Sequence, residues 1–397
     1  MPLGVVSLLA HAYVGWRLAP ALGSLVAAIA LVALLAVSAL TLPYGLGARR
    51  AGRRRFGAEL AWTGLVCMGL FSSLFVLTLA RDLFLVALAV LAAVAPHALV
   101  PARFVEPSAQ AVALAALLVT AWGFANARRV PRVVRVDVPI AGLPSALDGF
   151  TIAQLSDVHV GPTIKRPYVD GVVAVVNRLD VDLVAITGDL VDGTVRELAA
   201  DVAPLAQLRS REGSFFVTGN HEYYSGVVQW LHELRRLGIR VLLNEHVVVR
   251  RGGAALVVGG VTDFGAGHFD GTHVSDPAGA LAGSPADAAV RIVLAHQPRS
   301  AAAAAAAGFD LQLSGHTHGG QFLPWNFLVR LQQPFTAGLH RWRAMWVYTS
   351  RGTGYWGPPK RFGAPSEITA LRLVAAAAPA ARQARGAARE EAATPPV

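Results

Sequence analysis

Apolar and polar residues alternate in two different rhythms along this chain. In the first third, residues 24–44, 60–80, 83–100 and 109–127 are almost unbroken runs of Ala, Val, Leu, Ile and Phe. Each is near the ~20 residues a helix needs to cross a bilayer. Lipid offers backbone groups no water, so helices are the natural way across. Residues 3–16 form a fifth, shorter candidate, interrupted by His11. No basic stretch precedes it, which argues against a cleaved signal peptide. Residues 1–128 are therefore expected to be an all-α transmembrane bundle of about five helices.

From 130 to 374 the rhythm changes. Short apolar runs at 150–155, 183–187, 215–218, 257–261, 292–295 and 311–313 each end at polar residues. Stretches with helical spacing, 172–179 and 230–237, lie between them. Strands alternating with helices predict α/β layering. The segment 375–397 is Ala, Arg, Pro and Glu without a core pattern and is expected to be disordered.

Composition supports a membrane location. Hydrophobic residues make up 54% of the chain and charged residues 15%, against about 25% charged in a soluble domain. The formal charge is +10. A basic balance can mark nucleic-acid binding. Here the arginines cluster beside apolar runs, as in Arg49-Arg50 and Arg53-Arg54-Arg55, and no aromatic-and-basic tract suggests a strand-binding groove. No nucleic-acid partner is expected. The single cysteine, Cys67, excludes an intramolecular disulfide. The five arginines between 49 and 55 should be cytoplasmic. Counting five spans then puts a multi-pass protein in the cell membrane with its C-terminal domain extracytoplasmic. Arg128, Arg129, Arg132 and Arg135 argue the other way, although long domains translocate largely regardless of charge.

The second half carries the chemistry. Asp157-Val158-His159, Gly188-Asp189, Gly219-Asn220-His221-Glu222, His296 and Gly315-His316-Thr317-His318 follow in order. Nearly all fall at the end of an apolar run, where the carboxyl ends of strands place active groups. The set supplies two carboxylates, one amide and four imidazoles without a thiolate. That mixture of hard oxygens and borderline nitrogens suits two divalent ions (Mn, Fe, Zn or Ni). On an extended segment, Asp157 and His159 would point to one side, as would His316 and His318. Asp189 could bridge two ions, and Asn220 offers a neutral oxygen. Two ions ~3.5–4 Å apart acidify a water and clamp the attacking and leaving oxygens. His221 could protonate a leaving alkoxide. A lone histidine is more often structural, but the shared pattern reverses those odds for His159, His296, His316 and His318.

These residues make the chain resemble the calcineurin-like metallophosphoesterases over residues 148–374. The resemblance implies a four-layer α/β/β/α sandwich with two central sheets. It implies one metal on Asp157, His159, Asp189 and His318, a second on Asp189, Asn220, His296 and His316, and His221 as the catalytic histidine at the leaving group. The sequences from Ser156 to His159, Leu313 to Gln321 and Arg361 to Ile368 look like a bacterial membrane-anchored branch, which usually has proline where Ser366 stands. The expected function is membrane-anchored hydrolysis of a phosphodiester or pyrophosphate, with a phospholipid or lipid-linked substrate fitting a site at a membrane surface. A soluble substrate of the cyclic-nucleotide type is the runner-up. A non-catalytic membrane assembly or transport protein is the alternative from another class. Glu222 is expected to support the site or lie on the surface. Lys360 and Arg361 are candidates to meet a substrate phosphate. Trp325, Trp342, Tyr355 and Trp356 are expected to line a cleft, touch lipid or fill the core.

Overall fold

The computed structural model describes residues 3–46, 57–94 and 100–376. The arginines between 49 and 55, His97 and the chain beyond 376 lie outside the described residues.

Four helices precede the α/β part: α1 (Leu3–Leu18), α2 (Leu25–Leu46), α3 (Gly57–Val94) and α4 (Val105–Arg128). Three of these, α2, α3 and α4, are long and apolar enough to cross a membrane. The runs 60–80 and 83–100 are expected as two spans; residues 57–94 instead form one 38-residue helix, roughly 57 Å long at 1.5 Å per residue. Arg81 and Asp82 mark no turn because the bundle satisfies both. Asp82 takes two 2.8 Å hydrogen bonds from the Arg17 guanidinium and a 2.7 Å bond from the Tyr13 hydroxyl. Arg81 donates to Ser108 Oγ and the Val105 carbonyl, each at 2.9 Å. With its charges paired and no Gly or Pro at that point, the helix has no reason to break. His11 is a packed histidine. It stacks on Phe71 with ring centroids 3.6 Å apart, and its Nε2 lies 2.9 Å from Ser38 Oγ.

The helix α3 runs antiparallel to α4. Trp62 stacks on Phe124 at 6.1 Å and carries the Arg128 guanidinium 5.7 Å above its ring. At the other end, Arg81 meets Val105 and Ser108. Gly57 and Arg128 therefore lie at the same end of the bundle, where the α/β part begins. The expected topology counts residues 60–80 and 83–100 as separate crossings, whereas α3 is continuous from Gly57 to Val94.

Two six-stranded sheets follow. The first has the order β1-β12-β2-β3-β4-β5. Its strands are β1 (Arg132–Ala141), β12 (Glu367–Ala376), β2 (Thr151–Leu155), β3 (Leu183–Ile186), β4 (Ser214–Phe216) and β5 (Arg240–Val241). All pairs are parallel except β12 with β2. The second has the order β10-β11-β9-β8-β7-β6. It comprises β10 (Gly338–Trp342), β11 (Met345–Thr349), β9 (Leu311–Ser314), β8 (Val290–Leu294), β7 (Ala254–Gly260) and β6 (Glu245–Arg251). Its central pairs are parallel and both edge pairs antiparallel. The last strand takes in Ala375 and Ala376, which the sequence pattern assigns to the tail.

Alternation along the strands builds the layers. Ile152, Leu183 and Phe215 of the first sheet meet Leu256, Ile292 and Leu311 of the second in a buried core. On the outer face of the first sheet lie α5 (Arg166–Asn177), α6 (Val195–Val202) and α8 (Val227–Arg236), which bury Val172, Leu198 and Trp230. The outer face of the second is covered by α9 (Pro277–Ala280) and α10 (Ala301–Ala307), packed on Val293 and Val347 through Ala280, Ala301 and Ala304. The result is a mixed α/β/β/α sandwich. Each fully buried large apolar side chain contributes about 1.5–3 kcal/mol, so both sheets are rigid supports for the loops at their ends.

Candidate metal centre

The loops after β2, β3, β8 and β9, and the start of α7 (Asn220–Ser225), meet at one end of the sandwich. Their backbone is unusual. Asp157 and His159 both have φ of +53°, Asp189 +51°, His316 +68° and His318 +51°. The two-residue spacing thus works differently from expectation: left-handed residues, not an extended pleat, bring each pair to the centre. Such conformations cost of order 1–3 kcal/mol each away from glycine and gather at functional sites. Glycines let the loops close. A Cβ on Gly188 (φ +84°) would lie 2.5 Å from the Gly219 nitrogen and 2.9 Å from His296 Nδ1. A Cβ on Gly315 would lie 1.9 Å from Ser156 Oγ.

Three overlapping clusters result: Asp157 with His159 and His318, Asp189 with His296 and His316, and Asp189 with His159 and His221. Asp189 belongs to two of them and joins the halves. His159 Nε2 lies 3.1 Å from His318 Nε2, and His296 Nε2 lies 3.1 Å from His316 Nδ1. Asp189 Oδ2 is 3.1 Å from His296 Nε2, 3.9 Å from His159 Nε2 and 4.0 Å from His221 Nε2. Nitrogens at these separations can share one ion, whose bonds to imidazole are about 2.0–2.1 Å for zinc. Asn220 Oδ1 is buried and has no hydrogen-bond partner among the described residues. A buried amide oxygen without a donor is costly, and a cation beside Asp189 would satisfy it. The donor set and this orphaned oxygen fit the metals that the sequence implies.

Neighbouring groups fix the ligands. His296 Nδ1 lies 2.8 Å from the Thr187 carbonyl; donating its proton there frees Nε2 as a donor to metal. Asp157 accepts from the His316 amide at 2.9 Å and from the Ser156 hydroxyl. Asp189 accepts from the His221 amide at 2.8 Å. Glu222 is fully buried and accepts three backbone N–H groups, from Asp189, Leu190 and Gly219, at 2.7–3.0 Å. It binds the loop carrying Asp189 to the one carrying Asn220.

Charge is concentrated here. Burial, then repulsion from Asp189, pushes Glu222 up to about 7. Burial opposes ionisation of Asp189, but attraction to His296 and His221 holds it well below the usual carboxylate range. Burial lowers His316 to about 3, helped by the charge of His296. His318 is pushed well down by burial and by Arg361. Both imidazoles are thus kept unprotonated, as metal binding requires. For His296 the attraction of Asp189 outweighs burial and raises it well above the ordinary value. His221 is raised to about 9: burial opposes the proton, while Asp189 and Asp192 favour it.

All eight residues singled out from the sequence, Asp157, His159, Asp189, Asn220, His221, His296, His316 and His318, lie on these loops. Sequence reasoning overlooked Asp192. Its Oδ1 meets both His159 Nδ1 and His221 Nδ1; the only signal was its position three residues after Asp189. Lys360 and Arg361 are not placed for a substrate phosphate. Lys360 is buried against the helices and donates to the Gly69 carbonyl, Ser73 Oγ and Thr120 Oγ1. Arg361 is also buried. It donates to the carbonyls of His318, Arg351 and Gly354 and lies 2.9 Å from His318 Nδ1. Among the aromatics, Trp356 is exposed with its ring 5.8 Å from that of His221, and Tyr224 approaches the same ring at 5.2 Å. Tyr355 is core, Trp342 packs on Phe335, and Trp325 donates to Ser72 Oγ of α3 at 2.9 Å.

The chain matches known proteins over this same part. Residues 150–320 match the calcineurin-like phosphoesterase family. A bovine transmembrane protein with metallophosphoesterase domain is 44% identical over 266 residues, 64% of this chain and 60% of that protein. The chain thus spans less than two thirds of that relative's length. An uncharacterized metallophosphoesterase of Helicobacter pylori is 38% identical over 65% of this chain and 68% of its own length. One of Aquifex aeolicus is 33% identical over 61% of this chain and 91% of its own. With its ligand loops in order and these relatives matched over most of their length, the chain belongs to the calcineurin-like phosphoesterase family.

Proposed function

We propose that this protein is a membrane-anchored, dinuclear metal-dependent phosphoesterase that hydrolyses a phosphodiester or pyrophosphate, with a phospholipid or lipid-linked molecule as its substrate. The observation that carries this is the convergence of Asp157, His159 and His318 on one side of Asp189 and of His296 and His316 on the other, beside the unpartnered Asn220 oxygen. In this reading Asp157, His159, Asp189 and His318 hold one ion, and Asp189, Asn220, His296 and His316 the other. When bound, the pair supplies Lewis-acid polarisation of the phosphoryl group and acidifies a water. His221 faces the centre with its Nδ1 held by Asp192, so it is oriented to give a proton to the leaving oxygen. Trp356 and Tyr224 flank that ring and shield it from bulk water.

The lipid assignment is supported by the short path from the centre to the apolar helices through the buried pair Arg361 and Lys360. The shared end of Gly57 and Arg128 supports a cytoplasmic catalytic domain, because the 49–55 arginines should stay in the cytoplasm. The test is hydrolysis by the full-length protein in detergent. A phosphodiester of an aryl alcohol and a dispersed phospholipid are offered in parallel, with Mn²⁺ or with chelator. Metal-dependent cleavage lost in Asp189→Ala supports the reading. Metal-loaded protein that cleaves only cyclic nucleotides would favour the soluble-substrate alternative. Protein that binds no metal would favour a non-catalytic membrane role.

A further inference from the structure

The catalytic domain carries an apolar apron that the metal centre does not use. Residues 323–331 include the short helix α11 (Trp325–Val329). Leu323, Phe327, Leu328 and Leu331 are 47%, 62%, 51% and 81% exposed. So many large apolar groups together on a surface mark an interaction site.

Its position identifies the partner. The Trp325 indole donates to Ser72 Oγ on α3, and the next residue, Ser73, accepts from Lys360 together with Thr120 of α4. Thr120 lies eight residues before Arg128, roughly 12 Å along the helix axis. The apron therefore lies beside α3 at Ser72, well inside the end of the bundle, on the stretch of that helix between the exposed apolar residues Val66 and Leu79. Arg330, which follows the short helix, is exposed and suited to an anionic headgroup. Apolar side chains with a flanking cation are the pattern of segments lying in the bilayer interface. The apron also connects to the site's rim: Gln321 holds Trp356 by two hydrogen bonds, to its carbonyl at 2.8 Å and from its amide at 2.9 Å.

We propose that residues 323–331 insert into the headgroup–acyl boundary of the bilayer that holds the helices, fixing the mouth of the metal centre against one leaflet. This binding is independent of the hydrolytic reading and is tested without activity. Cysteine is placed at Phe327, Leu331 or the exposed Val248 of β6 in a Cys67→Ala background. Each full-length variant is labelled with an environment-sensitive fluorophore. The proteins are reconstituted in phosphatidylcholine–phosphatidylglycerol vesicles with or without spin-labelled acyl chains. Blue-shifted emission and severalfold quenching at 327 and 331, but not at 248, are expected. Water-like, unquenched emission at 327 and 331 would overturn the proposal. Blue-shifted but unquenched emission would also overturn it, since a protein surface or a second copy would then cover the apron. Two labelled positions guard against a local effect of either substitution.

Discussion

Asp192 Oδ1 stands between two imidazoles, accepting from Nδ1 of both His159 and His221. One carboxylate therefore orients a proposed metal ligand and the proposed proton donor together. Replacing it with the isosteric amide keeps the shape but removes the charge. Asp192→Asn is expected to lower kcat about 10–100-fold, the usual range for partners that orient metal ligands, with most of the metal retained. Steady-state rates beside metal content measure both. Unchanged kcat would remove Asp192 from the catalytic arrangement.

Metal should act as a ligand of the fold as well as of the substrate. The centre gathers four imidazoles and two carboxylates on loops with left-handed residues, and the charges repel or strand one another without a cation. Chelation is expected to lower the melting temperature and Mn²⁺ to restore it, because a ligand bound only by the native state stabilises it. In His316→Ala or Asp189→Ala the shift should shrink and hydrolysis should disappear. Equal shifts in wild type and both variants would place the stabilising ion elsewhere.

Glu222 gathers three backbone N–H groups from two loops. Glu222→Ala leaves all three buried without an acceptor, at about 1–3 kcal/mol for each unsatisfied group. The expected result is a clear loss of thermal stability with a fall in metal affinity, seen by thermal denaturation and metal titration. A stability equal to wild type would show that the loops are held by other contacts.

Lys360 gives a pH dependence. Burial lowers it from 10.5 to about 8, since its partners are a carbonyl and two hydroxyls, with no carboxylate. Between pH about 8 and 10.5 the unfolded chain binds this proton and the native chain does not. Stability therefore rises with pH across that window, and the penalty is fully present below it. The total is on the order of 3 kcal/mol. Lys360→Met should abolish that rise. Melting temperatures in detergent at pH 7.5 and 9.5 compare the two, and parallel changes would exclude Lys360 as the source.

Topology has its own measure. With Gly57 and Arg128 at one end of the bundle, a fluorescent protein fused after residue 397 should fluoresce in intact cells, and an alkaline phosphatase fused there should be inactive. The reverse pair of results would return the catalytic domain to the outside.

What could be read in the sequence was chemistry and its place on strand ends. The types and order of Asp157 through His318, and the apolar runs that end just before them, pointed to a cluster of candidate metal ligands and to α/β layers. Three features were hidden for physical reasons. The left-handed backbone at Asp157, His159 and Asp189 depends on loops pressing together, which no local pattern encodes. Asp192 looked like an ordinary loop carboxylate because its partners come from two separate segments. Arg81 and Asp82 looked like a loop because their partners Arg17, Tyr13 and Ser108 lie on other helices; once paired, they allow α3 to run through.

Lys360 and Arg361 are neighbours in the chain and face opposite ways, one gripped by α3 and α4, the other against His318. A Cβ on Gly123 would lie 2.7 Å from the Lys360 side chain, so this joint has little slack. One peptide unit thus joins the side chain that holds α3 and α4 to the side chain that holds the His318 imidazole, so the helices and the candidate metal centre share a single fastening.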